Sequence, residues 1–273
     1  MTLTVCFDAL GTCFTLQDII SAVDEQYGQG LAKNGWGSKG FVMDWFHSAQ
    51  RDYTYLSLIS PPPPPIASIL KTSLSLSLAA ALSIHPPTED DLKGITSKLS
   101  ALPSSPTLKE AMQHLVQNGA KLAIITNGAK LTTEGYASQA GIADLVDTVV
   151  SCDEVGYAKP HKEVYEAAHR TCDDLEAEQR QKQGQGPQSG SGTGREATGE
   201  RWFVAAHLWD LAAAKKAGFK TGLVLTDLPG NLIDHDEEEE SLQKWYELYG
   251  GRPDIVGKTL LEVAQGIVSR TKS

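Results

Sequence analysis

Short apolar runs recur along the chain and alternate with segments that carry apolar residues at helical spacing. The runs predict β-strands at Leu3–Phe7, Leu122–Thr126, Thr148–Ser151, Trp202–Ala205 and Thr221–Leu225. The segments that follow them predict helices at Pro106–Gln117, Thr132–Gln139, Lys162–His169 and Leu211–Ala217. Because buried strands alternate with helices, we expect an α/β fold in which helices flank a parallel sheet of Rossmann-like topology. Reactive groups of such sheets collect at the carboxyl ends of the strands.

The alternation breaks in the segment that follows the first strand, where the pattern is helical throughout. Helices are predicted at Leu16–Tyr27, Phe41–Ile59, Ile66–Leu82 and Glu89–Leu99, with a stiff polyproline connector at Pro61–Pro65. We interpret this block as a helical cap inserted over the active-site edge; extra helices packed on the sheet are the simpler alternative. The expected division is a core of residues 1–14 and 105–273 and a cap of residues 15–104.

A tract rich in Gln, Gly and Ser interrupts the predicted core at residues 179–200. It holds almost no apolar side chains, so it cannot bury enough surface to offset the entropy cost of ordering it. We therefore expect a disordered loop there. A second irregular segment, the acidic run Asp234 to Glu240, is typical of a solvated face or loop.

Composition excludes several classes of protein. Hydrophobic residues make up 41% of the chain and charged residues 21%, which is ordinary for a globular protein. A formal net charge of -10 disfavours nucleic-acid binding, which depends on clustered Lys and Arg. No apolar run approaches the roughly 18–20 residues of a membrane span, so no membrane partner is expected. The four cysteines show neither disulfide nor metal-ligand spacing, which favours a reducing compartment and a cytoplasmic location.

Polar residues stand at the ends of four of the predicted strands or just beyond them. Asp8 opens a Gly turn, Thr126 and Asn127 end the second strand, Lys159 precedes Pro160, and Asp210 follows the fourth strand. Each has a plain structural explanation in isolation: an Asx turn, an Asn-Gly turn, an exposed lysine and a helix N-cap, respectively. Their order along the chain is what favours a shared site at the carboxyl edge of the sheet.

With these residues in place, the chain resembles the haloacid dehalogenase-like superfamily over nearly its whole length. The four-motif pattern Asp, Thr-Asn, Lys-Pro and Asp is the pattern of that superfamily. Within it, the sequence is similar to the 2-haloacid dehalogenases. The similar segments are Phe7 to Thr12, Arg51 to Leu56, Lys121 to Gly128, Lys159-Pro160, Val164-Tyr165, Trp209-Asp210 and Pro253 to Val256. The Ala-Ala-His sequence before Leu208 resembles fungal members of the group.

The resemblance implies a role for each matching residue. Asp8 is the nucleophile and forms a covalent ester, and Lys159 compensates the charge around it. Thr12, Thr126 and Asn127 bind the substrate carboxylate or steady Asp8. Together with Asn127, two further residues shape the pocket and position the water that hydrolyses the ester: Tyr165 and Asp210.

The residue two positions after the nucleophile separates two chemistries on this scaffold. An alkoxide leaving group needs a proton, so phosphatases of the superfamily place an acid there, whereas a halide leaves without one. Here the position is Leu10, which favours a hydrolase that displaces halide from a small anionic 2-haloacid without a cofactor. The alternative is a Mg²⁺-dependent phosphatase acting on a small organic phosphate or diphosphate, with Asp8 and Asp210 as metal ligands. A non-catalytic binding protein is a third reading, disfavoured because Asp8, Lys159 and Asp210 occur together.

Two departures from the family pattern bear on the substrate pocket. His47 stands where the resembling dehalogenases have the arginine that receives the halide, so Arg51 or Lys39 would have to supply a permanent charge. His207 stands where they have an asparagine, and we count Leu10, His47, Arg51 and His207 among the candidate substrate-binding residues. The aromatic-rich helix around Trp45, Phe46, Tyr53 and Tyr55 would suit a homodimer, although such a patch is more often core.

Overall fold

A computed structural model describes residues 2–182, 199–225 and 236–272 of the chain, with the side chains of Lys182 and 236–239 excepted. The fold is a six-stranded, all-parallel sheet in the order β3-β2-β1-β4-β5-β6. Its strands are β1 Leu3–Asp8, β2 Ala120–Thr126, β3 Thr148–Ser151, β4 Glu200–Ala205, β5 Lys220–Val224 and β6 Ile255–Gly257. The predicted α/β class with a Rossmann-like parallel sheet is confirmed.

Helices follow the strands and flank the sheet. In the core they are α5 Leu108–Gln117, α6 Lys130–Gln139, α7 Cys152–Val155, α8 Lys162–Lys182, α9 Leu208–Lys216, α10 Asp236–Leu248 and α11 Leu260–Thr271. Helices α5 and α11 pack against each other on the sheet, and α8 packs with α9. No helix among the described residues has the length and hydropathy that crossing a bilayer would need.

Four helices lie between β1 and α5: α1 Gln17–Lys33, α2 Ser38–Ile59, α3 Ile66–Leu82 and α4 Glu89–Thr96. They pack mainly on one another, and the Trp45 indole of α2 donates to the Leu70 carbonyl and the Ser73 hydroxyl of α3. Trp45, Phe46 and Tyr53 are buried, so the aromatic residues of α2 belong to the core, and only Tyr55 of that group is exposed. The residue bounds of the two predicted domains stay a prediction.

The elements differ from the predicted ones mainly toward the C-terminus. Strand β6 and helices α10 and α11 were not predicted, because β6 is only three residues long and the acidic run obscured the apolar spacing of α10. Helix α8 continues to Lys182, since the Glu, Gln and Arg residues near its end are good helix formers. Residues 179–182 of the predicted loop are therefore helical and Glu200 belongs to β4, while residues 183–198 lie outside the described residues.

The strand order places the candidate site. After β1, the chain builds β2 and β3 on one side of it and then crosses to build β4, β5 and β6 on the other. Because the direction of winding reverses beside β1, a crevice opens at the carboxyl end of this strand. All six residues of β1 are buried, and the strand ends at Asp8.

Candidate active site

Asp8 lies at the centre of a buried group of polar side chains. Its Oδ1 atom accepts a hydrogen bond from Lys159 Nζ at 2.7 Å, and its Oδ2 atom accepts one from Thr12 Oγ1 at 2.7 Å. Thr12 Oγ1 in turn accepts from the backbone N–H of Ala206 at 2.9 Å, which fixes the direction of its own proton toward Asp8. The carboxylate is therefore held at both oxygens while its residue remains 6% exposed.

Lys159 joins Asp8 to a second carboxylate. Its Nζ atom lies 2.9 Å from Asp210 Oδ2, and both Lys159 and Asp210 are fully buried. The other oxygen of Asp210 accepts a short hydrogen bond from the Tyr165 hydroxyl. The Lys159 ammonium thus lies between two carboxylates. The Tyr165 hydroxyl donates to the second oxygen of Asp210, the more deeply buried of the two.

Burial and neighbouring charges shift the pKa values of three members of this group: Lys159, Asp210 and Tyr165. Burial works against the charged form of Lys159, yet the carboxylates of Asp210 and Asp8 raise its pKa above the ordinary value. Burial raises the pKa of Asp210, and the opposing effect of the Lys159 ammonium does not cancel that increase. Burial and the nearby Asp210 also raise the pKa of Tyr165, so its hydroxyl stays protonated and acts as a donor.

Backbone and cap contacts hold Lys159 in position. Asn127 Oδ1 accepts from the Lys159 backbone N–H at 3.0 Å, and Thr54 Oγ1 of α2 donates to the Lys159 carbonyl at 3.0 Å. Ser57, one turn further along α2, accepts from the Ala158 N–H at 3.0 Å. The Lys159 ammonium also lies 5.3 Å from the ring centroid of Phe203 on β4. The helical segment therefore contacts the site directly.

The end of β2 presents Thr126 beside this group. Thr126 Oγ1 accepts from the Gly128 N–H at 2.9 Å and lies 3.3 Å from Thr133 Oγ1. Thr133 Oγ1 also lies 3.2 Å from the Ala129 carbonyl, so its single proton serves one of these two acceptors. Ser151 at the end of β3 donates to the Gly128 carbonyl at 2.7 Å and so steadies the turn.

The imidazole of His207 covers the turn after β1. Gly11 has a φ of +88°, in the left-handed region, and a Cβ at that residue would lie 2.8 Å from His207 Cε1. Glycine at this position thus permits both the left-handed turn and the close approach of the His207 ring. His207 Nδ1 lies 3.9 Å from Asp8 Oδ2.

A small cavity of about 70 Å³ separates the helical segment from the carboxyl ends of β1 and β2. Leu10, Phe46 and Thr126 contribute to its lining; Asp8 itself does not. His47 lies on the exposed side of α2, with its ring centroid 5.9 Å from that of His207. Arg51 points elsewhere: its side chain is 56% exposed and pairs with Asp52 at 3.4 Å.

The residues named for a metal in the phosphatase alternative do not fit a divalent cation well. Asp8 and Asp210 both contact the Lys159 ammonium, which already neutralises them, and Asp210 has no exposed surface. Within residues 2–182, 199–225 and 236–272, no group of three or more His, Cys, Asp and Glu side chains has a metal-binding arrangement.

The structure thus brings together most of the residues predicted from sequence. Asp8, Thr12, Asn127, Lys159, Tyr165, Asp210 and His207 form one cluster, with Thr126 and Leu10 at its border. His47 contacts His207 of this cluster with ring centroids 5.9 Å apart, whereas Arg51 pairs with Asp52. Sequence reasoning missed Ser57, Thr54 and Phe203. Ser57 carried a usable signal, because it lies one helical turn after the buried Tyr53, on a mostly apolar face of α2.

Comparison with known proteins bears on the identity of this cluster. The family model of haloacid dehalogenase-like hydrolases matches residues 4–179. The (S)-2-haloacid dehalogenase of Pseudomonas sp. (strain YL) is 25% identical over 252 residues, covering 90% of this chain and 93% of that protein. Haloacetate dehalogenase H-2 of Moraxella sp. (strain B) is 22% identical over 225 residues, 79% of this chain and 82% of that protein.

A solved structure supports the same fold. The L-2-haloacid dehalogenase of Xanthobacter autotrophicus, determined with chloropropionic acid covalently bound, superposes with a TM-score of 0.70 at 20% identity. The match covers the whole of both chains. Since the family model spans more than half of the chain and contains Asp8, Thr126, Asn127 and Lys159, this protein belongs to the haloacid dehalogenase-like hydrolases.

Proposed function

We propose that this protein displaces halide from a small 2-haloacid by nucleophilic attack of Asp8. The observation that carries the proposal is the arrangement at the end of β1: a carboxylate held at both oxygens, with Leu10 rather than an acid two residues later. Similarity over most of the chain to (S)-2-haloacid dehalogenase supports it.

The first step needs an ionised carboxylate and a leaving group that requires no proton. Lys159 pairs with the Asp8 carboxylate at 2.7 Å, and Thr12 orients it by donating to its other oxygen. An Asp8 oxygen attacks the halogen-bearing carbon, a C–O bond forms, and the halide leaves with the electron pair of the broken bond. Leu10 donates no proton, and a halide needs none. The second step is hydrolysis of the resulting aspartyl ester, which restores Asp8.

The remaining site residues suit an anionic substrate. The Thr126 hydroxyl lies at the border of the site, where it can donate to the substrate carboxylate. Asn127 uses its Oδ1 to hold the Lys159 backbone, so its amide N–H groups are the part that serves a ligand. Tyr165 and Asp210 act behind Lys159 and fix its position. We assign halide binding to His47, whose ring lies 5.9 Å from that of His207, because Arg51 is turned toward Asp52.

The phosphatase alternative is less well supported. The dehalogenase relatives, the apolar Leu10 and the occupation of both candidate carboxylate ligands by Lys159 all argue against it. The proposed reaction therefore needs no metal or other cofactor.

We further propose that residues 15–104 act as the cap and that the protein is cytoplasmic. Sedimentation velocity will establish whether it forms a homodimer.

The decisive assay compares chloroacetate, 2-chloropropionate and a panel of phosphate esters, each with Mg²⁺ and with EDTA. We expect halide release that is the same under both conditions and no release of inorganic phosphate. Asp8→Asn, which keeps the size of the side chain, should abolish halide release without changing the folded state seen by circular dichroism. Phosphate release that depends on Mg²⁺, with no halide, would reject the proposal. If Asp8→Asn left all biological output unchanged, a binding role would be favoured instead.

A further inference from the structure

We infer that His207 is the general base that activates water for hydrolysis of the aspartyl ester. The inference rests on the proposed function and adds the residue that carries the proton in its second step. His207 has an unusual hydrogen-bonding environment. Both ring nitrogens of His207 are buried, and within the described residues neither has a hydrogen-bond partner. Buried polar atoms without partners are rare and costly, which indicates a group that binds something during the reaction.

Packing, not hydrogen bonding, holds the His207 ring. One face stacks on Trp209 with centroids 5.6 Å apart, and the edge of the ring contacts Gly11. The ring of His47 meets it at nearly a right angle, 5.9 Å away. The imidazole is therefore fixed in orientation while both nitrogens remain available for a proton.

The distance to the nucleophile suits a bridging water. His207 Nδ1 lies 3.9 Å from Asp8 Oδ2, beyond hydrogen-bond length but within reach of one water that contacts both atoms. The side chain of His207 is 12% exposed and that of Asp8 is 9% exposed, so both residues lie at the border of the buried group, next to solvent.

Asp210, the other candidate base, is fully engaged elsewhere. Its two oxygens accept from Lys159 Nζ and from the Tyr165 hydroxyl, and no part of it is exposed. A water that approached Asp210 would compete with these two donors for the carboxylate oxygens. His207 has no such competitor among the described residues. The geometry therefore gives Asp210 the task of positioning Lys159 and leaves proton transfer to His207.

The chemical step balances with groups already present. Water adds to Cγ of the Asp8 ester and gives one proton to His207, forming a tetrahedral intermediate. Collapse breaks the bond between Cγ and the ester oxygen, and the departing alkoxide takes that proton from the imidazolium to give the 2-hydroxy acid. The second proton of the water leaves the Asp8 carboxyl for solvent. No oxidant, reductant or metal is consumed.

The test separates the two chemical steps by using excess 2-chloropropionate on the full-length chain. His207→Gln should release about one halide per enzyme and then turn over roughly 10²–10⁴-fold more slowly than the unmodified protein, the range expected for loss of a general base. Intact-mass analysis should show the chain carrying the propionate ester, and peptide mapping should place it on Asp8. His85→Gln changes an exposed histidine of the cap segment and should retain full turnover.

His207→Ala provides an independent readout. Added imidazole should restore part of its turnover, which a merely structural role of the ring would not permit. Turnover of His207→Gln within a few-fold of the unmodified protein would overturn the inference, and so would folded variants that fail to release even the first halide. If the unmodified protein releases no halide from any haloacid, the proposed function itself fails, and the two failures are thereby distinguished.

Discussion

Replacing Lys159 by methionine removes the only cation that contacts both buried carboxylates in the described part of the site. In the native protein, Lys159 Nζ lies 2.7 Å from Asp8 and 2.9 Å from Asp210, and no surface of the ammonium is exposed. Methionine fills a similar volume but carries no charge. The negative charges of Asp8 and Asp210 then repel each other with no lysine cation between them. We expect the free energy of unfolding at pH 8 to fall by about 3–5 kcal/mol, the usual cost of removing one partner from a buried ion pair.

The sign of the pH dependence is a sharper test than the size of the loss. Without Lys159, the folded variant binds a proton at the carboxylate pair more tightly than the unfolded chain does. Stability then decreases as pH rises, because the folded state holds more protons than the unfolded state. The loss should therefore be larger at pH 8 than at pH 5. At pH 8 it corresponds to a decrease in Tm of about 6–20 °C for a domain of this size.

Urea and thermal unfolding of a small set of variants will check this reasoning. Lys159→Met combined with Asp210→Asn removes one negative charge along with the cation and should regain about 1–3 kcal/mol through coupling of the two sites. Lys244→Met is the matched control, since Lys244 pairs with Glu240 at 2.6 Å on an exposed surface and should change stability by less than about 1 kcal/mol. A Lys159→Met loss that is the same at pH 5 and pH 8, or below ~1 kcal/mol, would refute the account.

Two other substitutions extend the same reasoning. Tyr165→Phe deletes the hydrogen bond that lowers the pKa of Asp210. That pKa should therefore rise further, and the acid limb of the kcat/KM profile should move to higher pH. An unmoved limb would show that Asp210 does not need to be ionised. Arg201→Met removes the guanidinium that lies 2.9 Å from the buried Glu176. The free energy of unfolding in urea should fall by about 3 kcal/mol, the lower end of the range for a buried ion pair, because Arg180 remains 3.7 Å from Glu176. An Arg201 variant as stable as the native chain would show that this ion pair does not stabilise the fold.

Much of the architecture could be predicted from local patterns in the sequence. Strands β1 to β5 are apolar runs bounded by turn residues, and β3 has the predicted bounds. The residues of the nucleophile turn and of the Lys-Pro segment lie in short motifs with a fixed order, so their clustering at the sheet edge follows from parallel topology. Strand β6 was missed because three residues are too few to show a period, and its formation depends on pairing with β5.

The chain by itself therefore determined the fold class, the helical insertion and most members of the site. Tertiary structure decided how those members are connected: which carboxylates the lysine bridges, which hydroxyl bonds the nucleophile, and which histidine nitrogens have no hydrogen-bond partner among the described residues. The register of β1 against β2 and β4 brings Asp8 next to residues more than 100 positions away, and no local pattern encodes their distances. For the same reason, the sequence offers His207 only as a candidate substrate-binding residue. The packing of its ring over Gly11, with Nδ1 3.9 Å from Asp8 Oδ2, is what led us to propose it as the base.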